Sequence, residues 1–107
     1  MVSHTLPFGA VFGRELVAHI HRRYEASREL RPESVTSVMW GRVHPYSGPD
    51  YEAWFVGGFD QEYMNAENIF DVEGVPVHVS AADQQRMRGR TLDVIMGEGV
   101  VDVTPTI

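Results

Sequence analysis

The 107-residue chain contains no cysteine. That absence removes disulfides, thiolate nucleophiles and every cysteine-ligated zinc or iron–sulfur centre. Lysine is missing as well, since all nine basic residues other than histidine are arginine. A lysine Schiff base and a P-loop lysine are therefore excluded. Long apolar runs are also lacking. Nothing approaches the ~20 residues of a membrane-spanning helix, and charges lie where a signal peptide would carry its apolar stretch. The expectation is a soluble, cytoplasmic protein with no membrane partner.

Positive charge is scarce in the second half. Before Trp54 six acids match six arginines, and after it three arginines face nine acids, which accounts for the net charge of −6. An acidic sheet region argues against nucleic acid, whose affinity rests on cationic neutralisation of phosphates.

What is present reads as one α+β domain. Val11–Glu29 shows helical spacing, with Phe12, Leu16, Ile20 and Tyr24 on one stripe, Val17 widening it, and Pro32 ending the helix. Val35–His44 and Tyr51–Phe59 are rich in β-branched and aromatic residues, and the turn formers Pro45–Asp50 between them predict an antiparallel hairpin with an open tip. Gly57-Gly58 predicts a bulge or a close backbone approach. Asp60–Asn68 reads as a loop or one helical turn. Ile69–Val72 and Val75–Val79 read as short strands around Glu73-Gly74, with Pro76 placing the second at an edge or its nitrogen on an unpaired side. Ser80 opens a short capped helix that stops at Gly89. Thr91–Met96 and Val100–Thr104 close the chain as strands. The expected fold is an N-terminal helix packed on small, curled antiparallel or mixed β-sheets, with a short helix before the last strands.

Candidate functional residues cluster at the hairpin. His44 and Tyr46, two apart on an extended strand, leave one face. With His78 they form a candidate metal site, to which Asp50, Glu52, Asp60 and Glu62 add carboxylates, a donor set suited to iron of hard or borderline character. The alternative is that His44 and Tyr46 are tip residues, with Tyr46 folded onto Trp40 or Trp54. His19 and His21 point roughly 200° apart on a helix and cannot share an ion; they read as a rim and a solvent-facing residue. Asp93 reads as structural, tying the Gly89 turn to its strand. Tyr51, Ala53, Phe55, Gly57 and Phe59 alternate on one face and are the expected core side. Trp54 and Val56, with Trp40 and Val38, lie on the other, either as an exposed patch or beneath the N-terminal helix. Trp40, Tyr46 and Trp54 are the candidate partner-binding residues.

Tyr46-Ser47-Gly48-Pro49-Asp50-Tyr51 resembles the Cys-Ser-Gly-x-x-Tyr segment of A-type (HesB-like) iron–sulfur carrier domains, with Tyr46 in the cysteine's place. Ile69–Val79 is similar to their F-x-x-x-G-v-x-v-x-v strand pair, and Met87–Asp93 to their L-x-G-t-x-i-D segment. The likeness runs from about Val11 to Thr104. It implies the HesB-like fold with its cluster chemistry lost or replaced, because neither the first cysteine nor the Cys-Gly-Cys-like pair has a counterpart. Three functions follow as expectations. The first is a non-enzymatic binding module without a cofactor, engaging a protein partner or self-associating as a homodimer or higher oligomer. The second is an iron carrier using His44, Tyr46 and carboxylates. The third is a small enzyme using His78 or Asp93.

Overall fold

In the computed structural model, residues 2–60 and 65–104 are described. They form β1 (His4–Thr5), β2 (Val11–Phe12), α1 (Arg14–Leu30), β3 (Ser34–Val43), β4 (Tyr51–Asp60), a 3-10 turn (Ala66–Asn68), β5 (Ile69–Val72), β6 (Val75–His78), α2 (Ala81–Met87), β7 (Thr91–Ile95) and β8 (Gly99–Asp102). All eight strands join one sheet in the order β1-β2-β7-β8-β4-β3-β6-β5. Two pairs, β2 with β7 and β3 with β6, are parallel, and the rest are antiparallel.

This sheet curls until its ends meet. His4 on β1 lies 3.1 Å from Glu73 at the end of β5 (Nδ1 to Oε1), and the Phe8 and Phe70 rings stack edge to face at 5.0 Å. The result is a continuous, nearly closed eight-stranded barrel with two packed helices. It corrects the expected HesB-like fold of small curled sheets. Every local strand signal there is compatible with either arrangement, and only the order in which strands pair distinguishes them.

α1 fills the concave side. Leu16, Val17 and Ile20 are fully buried and join Phe12, Val38, Trp54, Val56, Val77 and Leu92 in one core. Each such side chain contributes on the order of 1.5–3 kcal/mol, far more than helix propensity. The stripe read from the sequence is therefore correct in α1, but its start is not. Val11 and Phe12 pair with Thr91 and Leu92 as a strand, because two β-branched or aromatic residues beside a free strand edge gain a ladder there.

α1 then begins at Gly13, whose side offers no cap of its own. The cap comes from Asp93, whose Oδ1 accepts from the Leu16 N–H at 2.9 Å and from the Val94 N–H at 2.9 Å. A carboxylate here satisfies an otherwise orphaned helical donor and meets the positive end of the helix dipole. A Cβ on Gly13 would lie 2.2 Å from the Asp93 Cγ, so only glycine admits the carboxylate. Asp93 is structural, as expected, but it ties down α1 and not the Gly89 turn.

In the hairpin, Ser34 to Val43 pair with Asp60 to Tyr51 without a break. Gly57-Gly58 therefore forms no bulge, and Gly58 is instead a close approach, its missing Cβ only 3.0 Å from Ser27 Oγ on α1. The expected core face is inverted. Val38, Trp54 and Val56 point into the barrel beneath α1, while Tyr51 and Phe59 are exposed and Phe55 is half-buried outside the core. β6 is also no edge strand, since it lies between β3 and β5; its pairing with β3 begins at Val77, one residue past Pro76. α2 matches expectation, with Ser80 Oγ accepting from the Asp83 N–H at 3.2 Å and Gly89 in the left-handed region beyond its end. Among the described residues no helix is long and apolar enough to cross a membrane.

Candidate functional site: an aromatic cleft at the barrel mouth

The continuous register of β3 and β4 sets Trp40 directly opposite Trp54. Directly opposed side chains in an antiparallel pair are close enough to pack, and the two indoles meet edge to face with centroids 5.3 Å apart. Trp54 is nearly buried and Trp40 half-buried. The Trp40 ring N–H donates to Glu52 Oε2 at 3.3 Å, and its main-chain N–H donates to Asp83 Oδ2 at 3.3 Å. The second bond docks α2 against β3 just beyond the point where β6 stops pairing with it.

That docking places Arg86 of α2 over Trp40, its guanidinium carbon 5.7 Å from the ring centroid. Between α2 and the β4–β8 seam opens a cleft of about 480 Å³, with both indoles, Val100, Glu52, Arg86 and Arg90 on its walls. A volume of this size at the mouth of a barrel is typical of a small-molecule site. Two further clefts are smaller: about 380 Å³ at the C-terminal end of α1 and about 240 Å³ between α1 and the β5–β6 turn.

The rim carries both signs. Arg86 Nε lies 3.7 Å from Asp83 and Arg90 Nε lies 3.6 Å from Asp102, longer than hydrogen bonds. Both pairs are therefore loose, and the guanidinium forks retain donor capacity. Asp102 loses some hydration, but the Thr104 hydroxyl and N–H and the Arg90 charge outweigh that loss and hold its carboxyl below the usual range. Asp102 is thus an ionised acceptor at the rim at neutral pH.

The structure separates the residues of the candidate metal site. His44 is exposed at the hairpin tip, where its Nδ1 lies 3.0 Å from Asp50, and Tyr46 is wholly exposed. His78 pairs with Ser37, seven residues before His44 along β3, which at ~3.3 Å per residue is roughly 23 Å away. Glu62 lies outside the described residues. Among the described residues, no three His, Asp or Glu side chains converge on a common ion position. Of the candidate partner-binding residues, Trp40 and Trp54 come together and Tyr46 stands apart from them. The arginines were not foreseen, because nothing local connects Arg86 to an indole 46 residues earlier. Its spacing of three from Asp83 marks only a shared helix face.

His78 has a second role in stability. Loss of hydration lowers its pKa below 6.5 against the opposing pull of Asp83; for His19 burial acts first, then the charges of Arg22 and Arg23. His19 is the rim residue expected, whereas His21 is half-buried with its Nε2 3.3 Å from Val72 O. The unfolded chain binds protons on His19 and His78 at a pH where the folded chain does not. Their stabilising contribution is complete above about 6.5 and is lost as pH falls from there toward the lowered folded values. The urea midpoint is therefore expected to drop between pH 7.5 and 5.5, and to flatten in the His19→Gln/His78→Gln double variant. A midpoint that rises on acidification would contradict this.

Comparison of the chain with protein-family models, curated proteins and solved structures returns no match. The HesB-like and iron–sulfur biogenesis reading thus has no support from relatives, and the barrel topology overturns it.

Proposed function

We propose that the protein is a cytoplasmic, non-enzymatic binding module whose recognition site is the cleft at the barrel mouth. Its ligand is a flat, apolar-bodied small molecule with hydrogen-bonding groups of both kinds along its edge. One observation carries this reading: the cross-strand Trp40–Trp54 pair lining a cleft of about 480 Å³. A planar ring gains stacking and burial against indole faces, and loosely paired arginines and carboxylates at the rim supply donors and acceptors.

Binding is favoured over turnover because the polar groups of the cleft are turned on one another. Glu52 holds the Trp40 ring N–H, Arg86 faces Asp83, and Arg90 faces Asp102. General acid–base chemistry would need a pair of groups aimed at one reacting atom.

The test is titration of the chain with flat heteroaromatic compounds bearing both donors and acceptors, with saturated-ring counterparts of equal polarity as controls. The indole N–H signals of Trp40 and Trp54 are followed by NMR. Aromatic compounds are expected to shift both signals, saturated ones to shift neither, and Trp40→Ala to weaken binding about tenfold, as a loss of ~1.4 kcal/mol implies. Indole signals unmoved by every member of the set at millimolar concentration would overturn the proposal.

A further inference from the structure

A charge-free face runs along the outside of the β3–β4 hairpin. The register pairs Met39 with Phe55 and Val43 with Tyr51, and alternation gives one face to the odd-numbered residues from Val35 to Val43 and from Tyr51 to Phe59. None of them is charged. Their polar groups are the Tyr51 phenol and the Ser37 hydroxyl, and the latter donates to His78 O at 3.0 Å. The even-numbered face of the same two strands carries Arg42, Glu52 and Asp60.

Glycine makes this face flat. A Cβ on Gly41 would lie 3.0 Å from Phe55 Cε1, and one on Gly57 would lie 3.1 Å from Phe59 Cε2. Both rings therefore lie down over bare backbone and do not stand off it. Tyr51 is 54% and Phe59 38% exposed, and neither belongs to the core.

We infer that two copies of the chain associate through this face, hairpin against hairpin about a two-fold axis. Charge selects the occupant. At a net charge of −6, copies repel wherever their acidic surfaces meet. A two-fold contact sets a patch against itself, which a neutral apolar patch tolerates and a charged one does not. Area sets the strength. Val35 and Ser37 are buried, so the free face spans Met39–Val43 of β3 and Tyr51–Phe59 of β4, which at ~3.4 Å per residue and ~4.8 Å between strands is roughly 230 Å² per copy. That is about a third of the ~800 Å² per partner in a standard interface, so the dimer is weak, reversible and concentration-dependent.

Sedimentation velocity from about 5 to about 500 μM, the range of a micromolar dissociation constant, combined with methyl NMR of the methionines, tests this. The expected result is monomer at the low end and a two-chain species at the high end. The Met39 methyl signal should shift across the transition while that of Met87, fully buried in the core, stays still. Tyr51→Glu and Val43→Glu should each raise the dissociation constant at least tenfold with an unchanged circular dichroism spectrum. A chain monomeric throughout would overturn the inference, as would a dimer that leaves Met39 unmoved or that persists in a folded Tyr51→Glu variant. Should Val43→Glu fail to fold, the dilution experiment on the unaltered chain decides by itself.

Discussion

Gly13→Ala is expected to lower the unfolding free energy by about 3 kcal/mol, as overpacking costs ~1–3 kcal/mol and loss of a helix cap ~0.5–2 kcal/mol. Both occur together here. The new Cβ would fall 2.2 Å from the Asp93 Cγ, so the carboxylate must leave, and the Leu16 N–H that it accepts loses its partner. α1 supplies the buried Leu16, Val17 and Ile20, and a loosened first turn weakens their packing. Asp93→Ala by itself should cost about 1–2 kcal/mol, the loss of the cap without the clash. The double variant should then cost clearly less than the sum, because alanine at 93 makes room for alanine at 13. Urea denaturation followed by circular dichroism measures all three. A Gly13→Ala chain within about 0.5 kcal/mol of the parent, the range of an ordinary surface change, would refute the account of the cap, and so would strict additivity.

The second large effect contrasts two neighbouring residues. Val38→Asp places an unpaired carboxylate in the core, where Val38 is fully buried, and should cost 4 kcal/mol or more, roughly the total stability of many small domains. Met39→Asp, one position on and on the outer face, should cost about 1 kcal/mol or less while abolishing self-association. Thermal unfolding of the two variants side by side is the measurement. The opposite ranking would mean that the hairpin presents its other face to α1, since a one-residue slip exchanges every side chain between faces.

These two predictions rest on features of unequal visibility in the chain. The stripe of α1, the Ser80 cap, the Glu73-Gly74 turn and the hairpin around Pro45–Asp50 all follow from residues within a few positions of one another. Local propensity and turn chemistry suffice there. The face of β4 did not follow in the same way. Tyr51, Ala53, Phe55, Gly57 and Phe59 form as apolar a row as Trp54 and Val56, so alternation identifies two faces without saying which is inside. α1 decides it, because its buried Leu16, Val17 and Ile20 pack in one core with Val38, Trp54 and Val56, with Ser27 closing on the backbone of Gly58.

The candidate site divides along the same line. Trp40 and Trp54 are visible in the sequence as aromatics of the two hairpin strands, but the seven residues between Val43 and Tyr51 are too many to fix the register, and their direct opposition comes from the fold. Arg86 reaches the Trp40 indole only through the docking of α2, which depends on a hydrogen bond from the Trp40 main chain to Asp83, 43 positions away, and Arg90 joins the rim beside Asp102 of β8.

The sequence by itself settled which chemistries are closed to this chain, where most of its helices and strands lie, and that it carries an aromatic hairpin. Strand order, closure of the barrel, the inward face of the hairpin and the cap on α1 were decided by tertiary structure alone. The reason is physical: each of these is a contact between segments far apart in the chain, here up to 80 positions, and its energy comes from burial and hydrogen bonding across that gap. Neither partner's local sequence carries a trace of the other.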